Sequence, residues 1–193
     1  IEIIPPEEKQ EILEVFNGTD RDYDREKTIL ELFAGRVEQA PHAVAVAGDS
    51  VREEDFAFLT YRQLDRCSGS LSRVLRDNGV QPGQVTALMV DRCIEMAVAI
   101  LAVLKAGAAY MPVSSGYPLE RKVFMVADSN ARVLITQRSL LRNEAGRFPG
   151  DLPVTALEID DPVHMTGRVP GPGEAGSAED PAYVIYTSGS TGK

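Results

Sequence analysis

Along most of this chain, strand-length apolar runs alternate with stretches of helical periodicity, and that alternation restricts the fold more than any single residue does. "HAVAVAG" (42–48), "FAFLT" (56–60), "VTALMV" (85–90), "AAYMPV" (108–113), "RVLIT" (132–136), "VTALEI" (154–159) and "PAYVIYT" (181–187) read as strands, the first of them short and buried. Runs that are apolar throughout, rather than at every second residue, belong to strands covered on both faces, as in parallel sheet built by strand–helix–strand crossovers. The expectation is an α/β fold, a mainly parallel sheet flanked by helices.

The helices mark their own ends. Thr28 with Glu31, and Thr60 with Gln63, have the spacing of capping boxes, in which each side chain serves the other's backbone N–H. The first starts a helix over 28–39 with Ile29, Leu32, Phe33 and Val37 on one face; the second starts one whose inward face is Leu64, Cys67, Leu71, Val74 and Leu75. Asn78-Gly79 stops that helix, Gly107 closes another over 91–106, and Pro118 suits the first position of one that reaches Asp128. A further helix lies near 138–145, and an N-terminal one over 7–16 enters through Pro5-Pro6 and stops at Asn17-Gly18. The polar "GTDRDYDREK" (18–27) has linker composition, and "TGRVPGPGEAGSAED" (166–180) is too poor in large apolar residues to pack a core.

Composition excludes several functions. With 44% hydrophobic residues the 193-residue chain can fill a core, and its net charge of −9, with both signs interspersed, offers no basic face to nucleic acid or to a membrane. Cys67 and Cys93 fall in helical segments without metal-ligand spacing and read as reduced core residues, and His42 and His164 stand apart from any ligand cluster. No metal site is expected. The longest apolar run, "MAVAILAVL" (96–104), is about half of what a bilayer needs. The N-terminus lacks the pattern of a signal peptide, so the expected compartment is the cytoplasm.

The chemistry is concentrated in the last eight residues, "YTSGSTGK" (186–193), at the end of a strand. Thr187, Ser188, Ser190 and Thr191 supply hydroxyl donors, while Gly189 and Gly192 let the backbone turn its N–H groups inward, an arrangement that suits phosphate. "SGS" alone would be an ordinary turn. The loop is also not a Walker loop, since Thr187 stands where the first glycine would and no Ser or Thr follows Lys193.

Preceded by an apolar strand, this loop resembles the phosphate loop of the acyl-adenylate-forming enzymes, the superfamily of acyl-CoA ligases, luciferases and the adenylation domains of nonribosomal peptide synthetases. Two further stretches select among these. "LTYRQLD" (59–65) and "LKAGAAYMPV" (104–113) resemble the first two signatures of peptide-synthetase adenylation domains, in order. Each also has a plain structural reading, as a helix start with its cap and a helix end with its glycine. Upstream, "FNGTDRDYDREKTILELFAGRVEQAPHAVAV" (16–46) looks like the linker that joins a condensation domain to an adenylation domain, followed by that domain's first helix and strand. The resemblance thus covers essentially all the chain: 1–27 as linker with a short helix, and 28–193 as the N-terminal part of the large subdomain, cut within the phosphate loop.

What the resemblance implies is an ATP-dependent ligase that activates an amino acid as its adenylate and passes it to a carrier-protein phosphopantetheine, with an upstream condensation domain as neighbour. Thr187, Ser188, Gly189, Ser190, Thr191 and Gly192 would hold the β- and γ-phosphates of ATP, magnesium being the accompanying ion. The catalytic residues, the magnesium-handling acid and the pocket for the amino acid lie downstream in the family, so no catalytic residue is expected among these 193 and the isolated chain is expected to be inactive. Two departures stand out. Ser114-Ser115-Gly116 replaces the family's usual Asp-Pro, which predicts a looser loop, and Lys193 falls on a variable position rather than on the family's loop lysine. An acyl-CoA or aryl-acid ligase of the same superfamily, and a noncatalytic docking module, are the rival readings.

Overall fold

Both capping boxes form. Thr28 Oγ1 accepts from the Glu31 amide at 3.2 Å while Glu31 accepts from the Thr28 amide at 2.7 Å. Thr60 and Gln63 repeat the exchange at 3.3 and 2.8 Å. These boxes begin α2 (Ile29–Gln39) and α3 (Tyr61–Asp77). The computed structural model describes residues 4–51, 57–144, 153–161 and 176–187.

Ahead of them, α1 (Pro6–Gln10) passes into a π-helical turn, Glu11–Val15, where the sequence predicts continuous α-helix. Asn17 Nδ2 donates to the Ile12 and Leu13 carbonyls at 3.1 and 3.2 Å, and the Phe16 amide instead reaches back to Glu11 O at 3.0 Å. The first two strands, β1 (Val44–Gly48) and β2 (Ala57–Thr60), pair antiparallel in a small separate sheet with an irregularity between Val44 and Val46. The expectation of a buried strand over 42–48 is therefore corrected: Val44 is 55% exposed, and only Ala45 and Val46, with Leu59, pack toward the core.

The main sheet consists of β3 (Val85–Met89), β4 (Ala109–Pro112), β5 (Val133–Thr136) and β6 (Thr155–Glu158), all parallel, in the order β4-β3-β5-β6. Helices α4 (Ile94–Lys105), α5 (Leu119–Asp128) and α6 (Arg138–Glu144) connect successive strands. On one face Leu88, Val133 and Ile135 join Leu71 and Leu75 of α3 and Val98 and Val103 of α4. On the other, Ala87, Met89, Met111 and Leu134 meet Met125 and Val126 of α5. Both faces are covered, which is why the strand sequences are apolar without alternation.

Three helices end in the same way. At the ends of α3, α4 and α5 a residue in the left-handed region, Gly79 (φ 86), Gly107 (φ 78) and Asn130 (φ 53), starts a Schellman turn. In α4 the Gly107 amide donates to Leu104 O at 2.9 Å and the Ala108 amide to Val103 O at 3.1 Å. Each turn aims the chain at the sheet, two of them directly into β4 and β5.

The seventh expected strand, 181–187, is reduced to a single parallel bridge between Tyr183 and Tyr110. Tyr110 donates to Ala182 O at 3.1 Å and accepts from the Val184 amide at 3.0 Å. The next bond of a parallel ladder would need an N–H from residue 112, which is a proline. Cys93 also departs from expectation. It is the extended N-cap residue of α4 rather than a helical one, because the Asp91 amide before it is taken by Gln137 Oε1 at 2.9 Å.

Candidate functional site

The parallel bridge sets where the glycine-rich loop begins. With Tyr183 level with Tyr110, the chain runs parallel to β4 at this point, in the direction of that strand's carboxyl end. Open α/β sheets bind ligands outside that end. Thr187 is exposed, its hydroxyl open to a ligand. Ser188, Gly189, Ser190, Thr191, Gly192 and Lys193 lie outside the described residues.

Tyr186 fixes the stem of the loop. Its hydroxyl donates to Asp128 Oδ2, at the end of α5, over 2.5 Å, and its ring stands edge-on to Phe124 with centroids 6.2 Å apart. Loss of hydration, followed by the adjacent Asp128 carboxylate, pushes the phenol up to about 12, so it remains a donor at any physiological pH. Sequence reasoning missed this pair. Residues 128 and 186 are 58 apart, and no local spacing announces their contact.

The topological switch point lies between β3 and β5, from which the connections to β4 and β6 depart in opposite directions. The protein fills that crevice itself. Gln137, 4% exposed, accepts from the Asp91 amide, and its Nε2 lies 4.0 Å from Cys93 Sγ. Asp91 in turn accepts from Ser115 Oγ at 2.9 Å. Burial raises the Cys93 thiol to about 11, leaving it without nucleophilic character at neutral pH. Beyond β5, the Arg138 amide donates to Asp160 at 3.0 Å and its Nε to Glu158 at 2.6 Å. These groups are already paired to one another.

The turn that replaces the family's Asp-Pro is tied at several points, against the expectation of a looser loop. Ser114 O accepts from the Tyr117 amide at 3.1 Å, Ser114 Oγ from the Gly116 amide at 3.3 Å, and Ser115 is held by Asp91.

The two other signatures meet each other at the opposite edge. Lys105 Nζ donates to Asp65 Oδ1 at 2.7 Å, Asp65 O at 2.9 Å and Ser68 Oγ at 2.8 Å, and lies 5.5 Å from the centre of the Phe33 ring. Asp65 ends "LTYRQLD" and Lys105 opens "LKAGAAYMPV" after its leucine, so these motifs join α3 to α4. A cleft of about 630 Å³ also opens at this end, between Tyr23, Ile29, Leu32, Leu104 and Ala182. Its lysine, Lys27, is paired with Asp24 at 2.8 Å, and Thr187 does not line it.

A parallel four-stranded sheet covered on both faces and built by helical crossovers defines an open-sheet α/β protein. More narrowly, residues 33–193 match the AMP-binding enzyme family, and the chain belongs to it. It is 40% identical over 193 residues to gramicidin S synthase 2 of Brevibacillus brevis, matching along its whole length but spanning only 4% of that synthase. Among solved structures it resembles the nonribosomal peptide synthetase FmoA3 in its alpha-methyl-L-serine-AMP bound form, with a TM-score of 0.73 and 29% identity over 89% of this chain and 18% of that one. It also resembles NpsA-ThdA of Klebsiella oxytoca, an artificially fused adenylation-PCP di-domain, with a TM-score of 0.69 and 26% identity over 84% of this chain and 29% of that one.

Proposed function

We propose that this chain is part of an adenylation domain that uses ATP to activate an amino acid as its aminoacyl-adenylate, for loading onto the phosphopantetheine of a carrier protein during peptide synthesis without a ribosome. Residues 1–27 would be the linker from an upstream condensation domain, and 28–193 the N-terminal part of the adenylation domain, working in the cytoplasm where ATP is supplied. The observation that carries the reading is the parallel course beside β4 of the stem that leads to Thr187, in a member of the AMP-binding family. Support for the amino-acid branch comes from the similarity to gramicidin S synthase 2 and to a synthetase solved with an amino-acid adenylate. The carrier is suggested by the adenylation-PCP fusion. The acyl-CoA or aryl-acid ligase and the noncatalytic docking module lack comparable support.

In this reading Thr187, Ser188, Gly189, Ser190, Thr191 and Gly192 hold the β- and γ-phosphates. The donor set fits such a group: neutral hydroxyls and backbone N–H groups, with Thr187 exposed. ATP supplies an activated phosphorus and pyrophosphate as leaving group, and magnesium would offset the charge of the phosphates. The loop's contribution is to hold the departing phosphates in line and to stabilise their growing charge with fixed donors. The stem bonds at Ala182, Val184 and Tyr186 give those donors a rigid base. Amino-acid-dependent exchange of pyrophosphate into ATP by the intact synthetase tests the assignment: exchange with at least one amino acid is expected, and exchange with fatty or aryl acids alone would refute it.

A further inference from the structure

We propose that Tyr186, braced by Asp128, is a positioning residue for the proposed phosphate loop, fixing the stem residue that precedes Thr187. The proposal rests on the reading of Thr187 to Gly192 as a phosphate loop and assigns a part to a residue outside it.

The argument begins at Pro112. Every other amide of β4 faces the 182–184 segment: Tyr110 uses its N–H on Ala182, and residue 112 has none to offer Val184. The last backbone bond that fixes the stem is therefore from the Val184 amide to Tyr110. Two residues, Ile185 and Tyr186, lie between Val184 and Thr187. Ile185, 59% exposed, gives the stem no packing. Tyr186 supplies it instead: its side chain turns to the α5 face, joins the Met125–Leu134 core and reaches Asp128 by a charge-assisted hydrogen bond of 2.5 Å. Its ring edge against Phe124 fixes the orientation as well as the distance. In effect a side-chain bond to α5 takes the place of the ladder bond that Pro112 removes. α5 is itself anchored by Met125 and Val126 in the core, so the stem of the loop is referred to a rigid helix, near the end that turns back into β5.

Loop donors displaced by a fraction of an ångström would lose phosphate affinity without altering the pocket for the amino acid. The test is calorimetric binding of ATP and of pyrophosphate to the intact synthetase and to its Y186F, D128A, D128N and Y186F/D128A variants, with thermal midpoints and exchange kinetics alongside. Y186F and D128A should each weaken ATP and pyrophosphate about 5- to 20-fold, and the double variant no more than either single one, because one bond is being removed twice. D128N retains an acceptor and should remain within about 2-fold of wild type. KM for the amino acid should stay within about 2-fold in every variant.

Equal ATP affinity in wild type and Y186F overturns the proposal, as does a loss shared equally by ATP, pyrophosphate and amino acid, the pattern of a merely structural role. A wild-type protein that binds no ATP overturns it too. Should Y186F or D128A fold poorly, D128N decides, since a loss of ATP affinity despite the retained acceptor contradicts the hydrogen-bond account. Failure of the functional reading looks different: ATP binds and Y186F weakens it, but no amino acid supports exchange.

Discussion

At the scale of single residues, Lys105 and Cys93 show how much of this sequence serves the frame. Lys105 makes three short hydrogen bonds to α3, and its side chain is only 17% exposed. Lys105→Ala would remove the bonds that tie the end of α4 to Asp65 and Ser68 of α3 and is expected to cost about 1–3 kcal/mol, read as a lower midpoint in denaturant with an unchanged slope. Cys93 offers a pH prediction. Its thiol ionises near 9 when unfolded and near 11 when folded, chiefly through burial. Between those values the folded state retains a proton that the unfolded chain has lost, so this contribution to stability is complete below pH 9 and disappears as pH rises toward 11. Iodoacetamide should accordingly label Cys93 in the native protein slowly at pH 9 and rapidly only after unfolding; fast native labelling would contradict the burial.

At the scale of elements, helix starts and stops were legible because their chemistry is local. Thr28, Thr60, Gly79 and Gly107 each act within four residues of themselves, and all four perform as their spacing suggests. Gly107 is the most constrained of them: its φ of 78 disfavours a side chain, and an added Cβ would come within 3.1 Å of Pro82. Gly107→Ala should therefore destabilise by about 1–3 kcal/mol and disturb the start of β4, measurable by chemical denaturation and by faster amide exchange at Ala109. Less legible were features decided between elements. The apolar run at 181–187 looks like a full strand, and only the register against Pro112 reduces it to one bridge. The partnership of Tyr186 with Asp128, and the plug formed by Gln137, likewise depend on contacts that sequence distance conceals. The glycine- and hydroxyl-rich loop was readable as a motif, since that content is local; the parallel course of its stem beside β4 required the pairing.

At the scale of the whole molecule, the signatures divide by edge. Those at 59–65 and 104–113 lock α3 to α4 and shape the amino end of β4, while the stem that leads to Thr187 runs parallel to β4 away from that end. One sheet thus separates the residues that hold the frame from those proposed to hold ATP, and the polypeptide passes between them along β4 and the 181–187 stem. The central claim is that this frame serves amino-acid adenylation. Pyrophosphate exchange by the intact synthetase, run with each of the common amino acids and with fatty and aryl acids in parallel, tests it most directly. The account predicts ATP-dependent exchange with one or a few amino acids and background with the other acids; exchange driven only by the fatty or aryl acids, or by none of the substrates, would contradict it.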